Sequence, residues 1–277
     1  MNGLTLTNRL ACWWMIFRIA LEERLAYRGD FALGTLMRFL PIITQVFLWA
    51  AVFETVGSGK LAGYTLPDMI AYYLLSMLAR AFSSMPGLAS TVAKQIRDGE
   101  IKKYLVQPID MIGFMLLGRV AHKIAYYTVS TLPFALVFYL CRGYFTAGWP
   151  AGEIVLAFVI SCILGFLMGY FLDLCIGLIG FWFLEVSSLL FIYMLLNFFL
   201  SGHMFPLDFL DEPYKTIVDY LPLKYMAYFP AAIFLGKIPA DEVWPQVAVE
   251  GLWLLFFVGL SRVLYALGLR RYSGYGG

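Results

Sequence analysis

Apolar residues run along this chain in blocks, and the blocks have the length of a lipid bilayer's hydrocarbon layer. A membrane-crossing helix needs about 20 mostly apolar residues. Six stretches fit: residues 31–53, 67–90, 112–140, 152–181, 186–202 and 243–269. The first is interrupted by Arg38 and Pro41. The second opens on Thr65 and Asp68, spaced as a capping box, with Pro67 in the first turn. The apolar run from Ala151 to Gly202 is too long for one span and divides near Trp182 to Glu185. Residues 203–242 are apolar only in patches, broken by Pro222 and Pro230. They predict an outer re-entrant region of short helices, with a seventh span as the rival reading.

Ahead of the first block, Leu10, Trp13, Trp14, Phe17 and Leu21 share one helical face. This predicts an interfacial amphipathic helix over residues 1–30, because tryptophan favours the headgroup layer. Ile16 and Ile19 lie off that face, so a juxtamembrane helix packed on the rest of the protein is the alternative. Arg18, Glu22, Glu23 and Arg24 follow the apolar run, and no small-residue cleavage site of a signal peptide appears. The expected fold is an all-α polytopic membrane protein, with one transmembrane domain over residues 31–277.

Composition strengthens that reading. The chain has 277 residues, 61% hydrophobic and 14% charged, and its mean hydropathy is +0.78. Ordinary soluble domains are about 45–50% apolar and about 25% charged. The excess apolar surface must face lipid, which excludes a soluble enzyme. A formal charge of +2 predicts no nucleic-acid partner. The placement of charge says more than its sum. One side would hold ten Lys and Arg residues, in the N-terminal segment, the second loop and the tail. The other would hold five: Lys60, Arg142, Lys215, Lys224 and Lys237. The positive-inside rule then puts both termini in the cytoplasm, and Trp49, Trp149 and Trp244 near the outer interface.

Candidate chemistry is sparse. Cys12, Cys141, Cys162 and Cys175 form no CxxC, and His122 and His203 are remote from them, so no metal site is expected. Gly57-Ser58-Gly59-Lys60 lacks the leading Gly and the following Ser or Thr of a phosphate loop. Ser201-Gly202-His203 lacks the leading Gly of a nucleophile elbow. No HExxH is present. The chain is therefore expected to have no catalysis, no ATP site and no cofactor of its own.

Four constellations remain. The loop over residues 92–110 mixes Arg97, Asp98, Gly99, Glu100, Lys102 and Lys103 with spaced Ile96, Ile101 and Leu105. It reads either as a short helix able to dock a partner or as a topogenic loop. Arg38, Arg80, Arg119, Lys123 and Asp173 lie inside spans, toward the inner half. They form either a hydrated charge cluster at a cavity mouth or a set of snorkelling side chains. Ser161, Gly165, Gly169, Asp173 and Gly177 recur every four residues, a small-residue ridge for close helix packing within the subunit or across a dimer. Gly202, His203 and Pro206 close the fifth block, and Pro222 and Pro230 break the segment that then folds back into the outer interface.

These parts, in this order, resemble the membrane subunits of ABC type-2 exporters, in the branch with a separate ATPase chain. The resemblance rests on Ile96-Arg97-Asp98-Gly99-Glu100-Ile101 leading to Tyr104-Leu105-Val106-Gln107-Pro108-Ile109. It rests also on Ser201-Gly202 before Pro206-Leu207, and on Leu221-Pro222 with Tyr228-Phe229-Pro230. It implies six spans, a coupling helix in the second loop that docks on an ABC ATPase, and outer re-entrant helices. It further implies a paired permease chain, same or homologous, and ATP and Mg²⁺ bound only by the ATPase. The site would be the bacterial inner (plasma) membrane. The rivals are a membrane-embedded enzyme acting on lipid and a secondary transporter with no ATPase. The substrate is not readable from the residues.

Overall fold

A computed structural model describes residues 6–26, 28–55, 59–146, 148–183 and 185–272. Among them the regular structure is helical, with no strand beyond an isolated bridge between Leu61 and Tyr64. The helices are α1 (Leu6–Ala26), α2 (Arg28–Thr55), α3 (Leu66–Ser83), α4 (Leu88–Arg97), α5 (Lys102–Leu105) and α6 (Met111–Leu140). They continue as α7 (Gly152–Leu178), α8 (Ser187–Leu200), α9 (Tyr214–Asp219), α10 (Tyr228–Phe234) and α11 (Ala240–Arg271). A helix satisfies its own backbone hydrogen bonds, which lipid cannot do, so apolar blocks of this length take that form. Among the described residues three helices are long and apolar enough to cross a membrane: α6, α7 with its short extension to Phe181, and α11. Phe39–Thr55 and α8 are shorter apolar helices. The chain is an all-α membrane protein.

The chain divides into two units. The first holds residues 1–43 and 100–140. In it α1 lies along α6. Asp110 caps α6 by accepting the Gly113 amide at 2.8 Å. Gly113 also leaves room for the Trp13 ring, which would stand 3.2 Å from a Cβ there. On its other side α1 exposes Trp14, Met15 and Ile19.

The second unit holds residues 44–99 and 141–277 and is built around α7. Helix α3 starts at the capping box: Thr65 Oγ1 accepts the Asp68 amide and Asp68 accepts the Thr65 amide. The sequence predicts one continuous span over 67–90, but the backbone breaks between α3 and α4. Pro86 has no amide hydrogen and disfavours helical backbone at Met85, and Gly87 takes a left-handed φ of +71°. Helix α4 then buries Leu88, Ala89, Val92, Ala93 and Ile96 on one face, against α7 and its extension.

After α8 the chain folds back along α3. The Tyr72 hydroxyl donates to the Gly202 carbonyl and the Tyr73 hydroxyl to the Met204 carbonyl. Lys237 reaches Asp68, in the first turn of α3, at 2.9 Å. Ser83, its last residue, donates to the Met226 carbonyl at 2.8 Å. The 18 residues of α3 are about 27 Å long, so the returning segment reaches far along the helix. Six of the seven residues of α10 are buried.

Candidate functional site

The break between α3 and α4 opens a cavity of about 390 Å³ inside the second unit. Its walls come from the end of α3, the first turn of α4, α7, α8 and the returning segment at Met226 and Ala227. Residues 84–87, the irregular backbone between α3 and α4, line this cavity.

Arg80 and Asp173 both line this cavity. The Tyr193 hydroxyl donates to Asp173 at 2.5 Å, and Asn197 donates to the Tyr193 oxygen at 3.5 Å. That chain of polar groups orients the carboxylate from α8. The Arg80 guanidinium stands 5.9 Å from the centre of the Phe198 ring. Ser201 is 1% exposed, and its hydroxyl has no hydrogen-bond partner among the described residues. Ser83, Ser84 and Ser90 also line the wall, and Met85, Leu190, Met194 and Met226 form its apolar part. Arg119 and Lys123 belong to α6 in the other unit, and the side chain of Arg38 lies outside the described residues.

The small residues of α7 face backbone. A Cβ at Gly165 would stand 3.2 Å from the Tyr225 carbonyl oxygen, and one at Gly177 would stand 2.8 Å from that of Ala89. At Gly169 it would collide with the carbonyl of Ser83. Ser161 is fully buried and faces Glu250 of α11 without reaching hydrogen-bond geometry. Glu250 is 0% exposed, the one acid in an apolar window, and was the residue that sequence reasoning passed over. Its isolation among apolar neighbours is the signal that marks it.

The charges of the second loop sit at the surface. Arg97, Asp98, Glu100, Lys102 and Lys103 are exposed, Gly99 is half-buried, and Leu105 and Val106 are exposed. Arg97 lies 3.7 Å from Glu185 in the α7–α8 connection. The Ser187 hydrogen bonds hold the fully exposed Glu185 carboxyl below its usual range. Lys103 pairs with Glu100 at 3.2 Å.

The segment that returns after α8 contains a second polar centre that the sequence did not single out. Asp208 accepts from the hydroxyls of Tyr64 and Tyr228, each at 2.8 Å, and from Lys215 at 3.0 Å. Burial pushes both phenols well above their ordinary range, with the Asp208 charge adding to it, so they remain donors. The hydrogen bond to Asp208 likewise raises Lys215. Gly202 takes φ +77°, and a Cβ there would meet the Tyr72 hydroxyl at 2.8 Å. Pro206 and Pro230 are buried, and Pro222 opens a 3-10 turn over Pro222–Met226.

The His203 ring packs edge-on against Phe198, with centroids 5.2 Å apart, and its Nδ1 is buried without a partner among the described residues. Burial, then the charge of Arg80, lowers its pKa to about 3 from 6.5. The fold therefore favours the neutral ring. That contribution is present above pH 6.5 and is lost as pH falls from there toward about 3. We expect the wild-type melting temperature to fall faster than that of His203→Gln between pH 6.5 and 4.5. Parallel melting curves would exclude the effect.

A family profile described as ABC-2 family transporter protein matches residues 39–276. The chain belongs to this family of ABC transporters and is a multi-pass membrane permease. A comparison with curated proteins gives no match.

Proposed function

We propose that this chain is the permease subunit of an ATP-driven exporter whose ATP-binding subunit is a separate chain. On this reading it carries six spans and has both termini in the cytoplasm of a bacterial inner membrane. It pairs with a second permease chain, while ATP and Mg²⁺ bind to the ATPase. The chain alone is not catalytic. Cargo moves outward, from the cytoplasm or the inner leaflet.

The observation that carries this reading is the division of labour in α4 and the residues that close it, 88–99. Helix α4 buries one apolar face against α7, while Arg97 and Asp98 at its end stay exposed. Close-packed helices move as rigid pieces. A partner that grips the exposed end would displace α4, and α4 forms part of the cavity wall. The outer segment, hinged at Gly202 and held by Asp208, would serve as the opposing gate.

The test is affinity purification in mild detergent with the ATPase co-expressed. Combined Glu100→Lys and Lys102→Glu substitutions should reduce ATPase recovery at least about tenfold, the scale of losing charged interface contacts worth about 1.4 kcal/mol or more. The permease should stay monodisperse. Undiminished recovery with full ATP-dependent activity would overturn the docking surface.

A further inference from the structure

Glu250 is fully buried in α11, which packs along α7 and touches the returning segment. Neither of its carboxyl oxygens has a hydrogen-bond partner among the described residues. Across from it on α7, Ser161 is equally buried, and its hydroxyl is also without a partner there. Gly165, one turn further along α7, puts no side chain beside them. A Cβ at this position would stand 3.7 Å from Glu250 Oε1 and 3.2 Å from the Tyr225 carbonyl oxygen. Three elements therefore bring oxygen atoms to one buried place: the carboxyl of α11, the hydroxyl of α7 and a carbonyl of the returning segment.

Those neighbours decide the form of the acid. An ionised carboxyl stripped of water needs a cation or several donors, and without them its burial is strongly unfavourable. A carbonyl oxygen can only accept, and Ser161 has a single hydrogen to give. A protonated carboxyl meets the same neighbours as a donor, with the Ser161 oxygen and the Tyr225 carbonyl as acceptors. The other groups around the site supply no counter-charge. Cys162 follows Ser161 on α7, and Tyr225 donates its hydroxyl to Gln246 of α11 at 3.2 Å. Lys224 pairs with Asp219 at 3.4 Å. From α3, the neighbour of Gly165 is Ser83, which is uncharged and donates to the Met226 carbonyl.

We propose that Glu250 is a proton-binding site whose acid form joins α11 to α7 and the returning segment. The packed arrangement holds one proton, and passes it to water when these elements separate and the carboxyl becomes hydrated. Gln246, one turn earlier on α11 and half-buried, marks the side from which water arrives. The site belongs to this chain alone and needs no ATPase. It makes the separation of α11 from α7 dependent on pH.

The test uses the purified full chain in dodecyl maltoside. Infrared spectra at neutral pH should contain the carbonyl stretch of a protonated carboxyl that is missing from Glu250→Gln. Ser161→Ala, which removes only a hydroxyl, should shift that band. The second readout is the midpoint of an SDS titration between about pH 6 and pH 8, a range in which an ordinary glutamate of the unfolded chain is ionised. The packed state then holds one proton more than the unfolded one. Raising the pH should therefore weaken wild-type folding, by up to about tenfold in the equilibrium constant per pH unit. Glu250→Gln, neutral at every pH, should lack this slope, while the other titrating groups act alike on both proteins. A role limited to filling space would leave the two slopes equal. Equal slopes, or an acid band that survives in Glu250→Gln, overturn the proposal. Should Glu250→Gln fail to fold, the wild-type slope and the band shift in Ser161→Ala decide: both present support the site, and the absence of either overturns it.

Discussion

Gly169→Leu should leave little folded protein. The first carbon of any side chain at this position collides with the Ser83 carbonyl, which is backbone and cannot rotate away. Ser83 is itself tied to the Met226 carbonyl at 2.8 Å, so moving it pulls on the returning segment as well. Overpacking a close-packed interior costs about 1–3 kcal/mol, and more where backbone must shift. We expect about 3 kcal/mol or more here, read as a large drop in monodisperse yield and in the midpoint of an SDS titration. Gly251 is the matched control, because a Cβ there meets nothing within 4 Å. Gly251→Leu should cost no more than about 0.5 kcal/mol, as for substitutions away from packed features. Similar behaviour of the two variants would exclude the close approach of α3 to α7.

Asp208→Ala should release the returning segment while leaving the α7 core intact. Its carboxylate gathers donors from before α3, from α9 and from α10. The residue is 19% exposed on its side chain, so part of the loss is made good by water. Removing the shared acceptor still strands two largely buried phenols and a lysine. An expected cost of about 3 kcal/mol follows from hydrogen bonds to a charged group and from breaking a partly buried pair. Hydrogen exchange reads it directly. The Tyr228 amide, bonded to the Ser201 carbonyl at 2.9 Å, should lose about a hundredfold in protection. Amides in the middle of α7 should keep theirs. Unchanged exchange at Tyr228 would mean that the returning segment is held by its buried apolar contacts alone.

Some of this organisation is written locally. Thr65, Pro67 and Asp68 specify the start of α3, because a capping box needs only residues three apart. The interruption near Trp182 to Glu185 is also local, and Glu185 accepts the Ser187 amide at 2.8 Å where α8 begins. The repeat of small residues on α7 is visible as spacing, but what lies against it is not. Ser83, Ala89 and Tyr225 come from other parts of the chain, and no property of residues 161–177 names them. Pro86 and Gly87 were legible as helix breakers, yet hydropathy runs through them, and an apolar count weighs every residue in the window equally.

The cavity and the Asp208 centre were out of reach for the same reason. Arg80 and Asp173 are 93 positions apart in sequence, and Tyr64 and Asp208 are separated by 144. Hydropathy and charge act along the chain at short range, and they are enough to establish a helical membrane protein, its apolar blocks and its charged second loop. Which side chains meet across helices depends on how each helix is rotated and how deeply it sits. Packing of distant surfaces sets both, so the partners of Asp173, Asp208 and Gly169 emerge only once the helices are assembled.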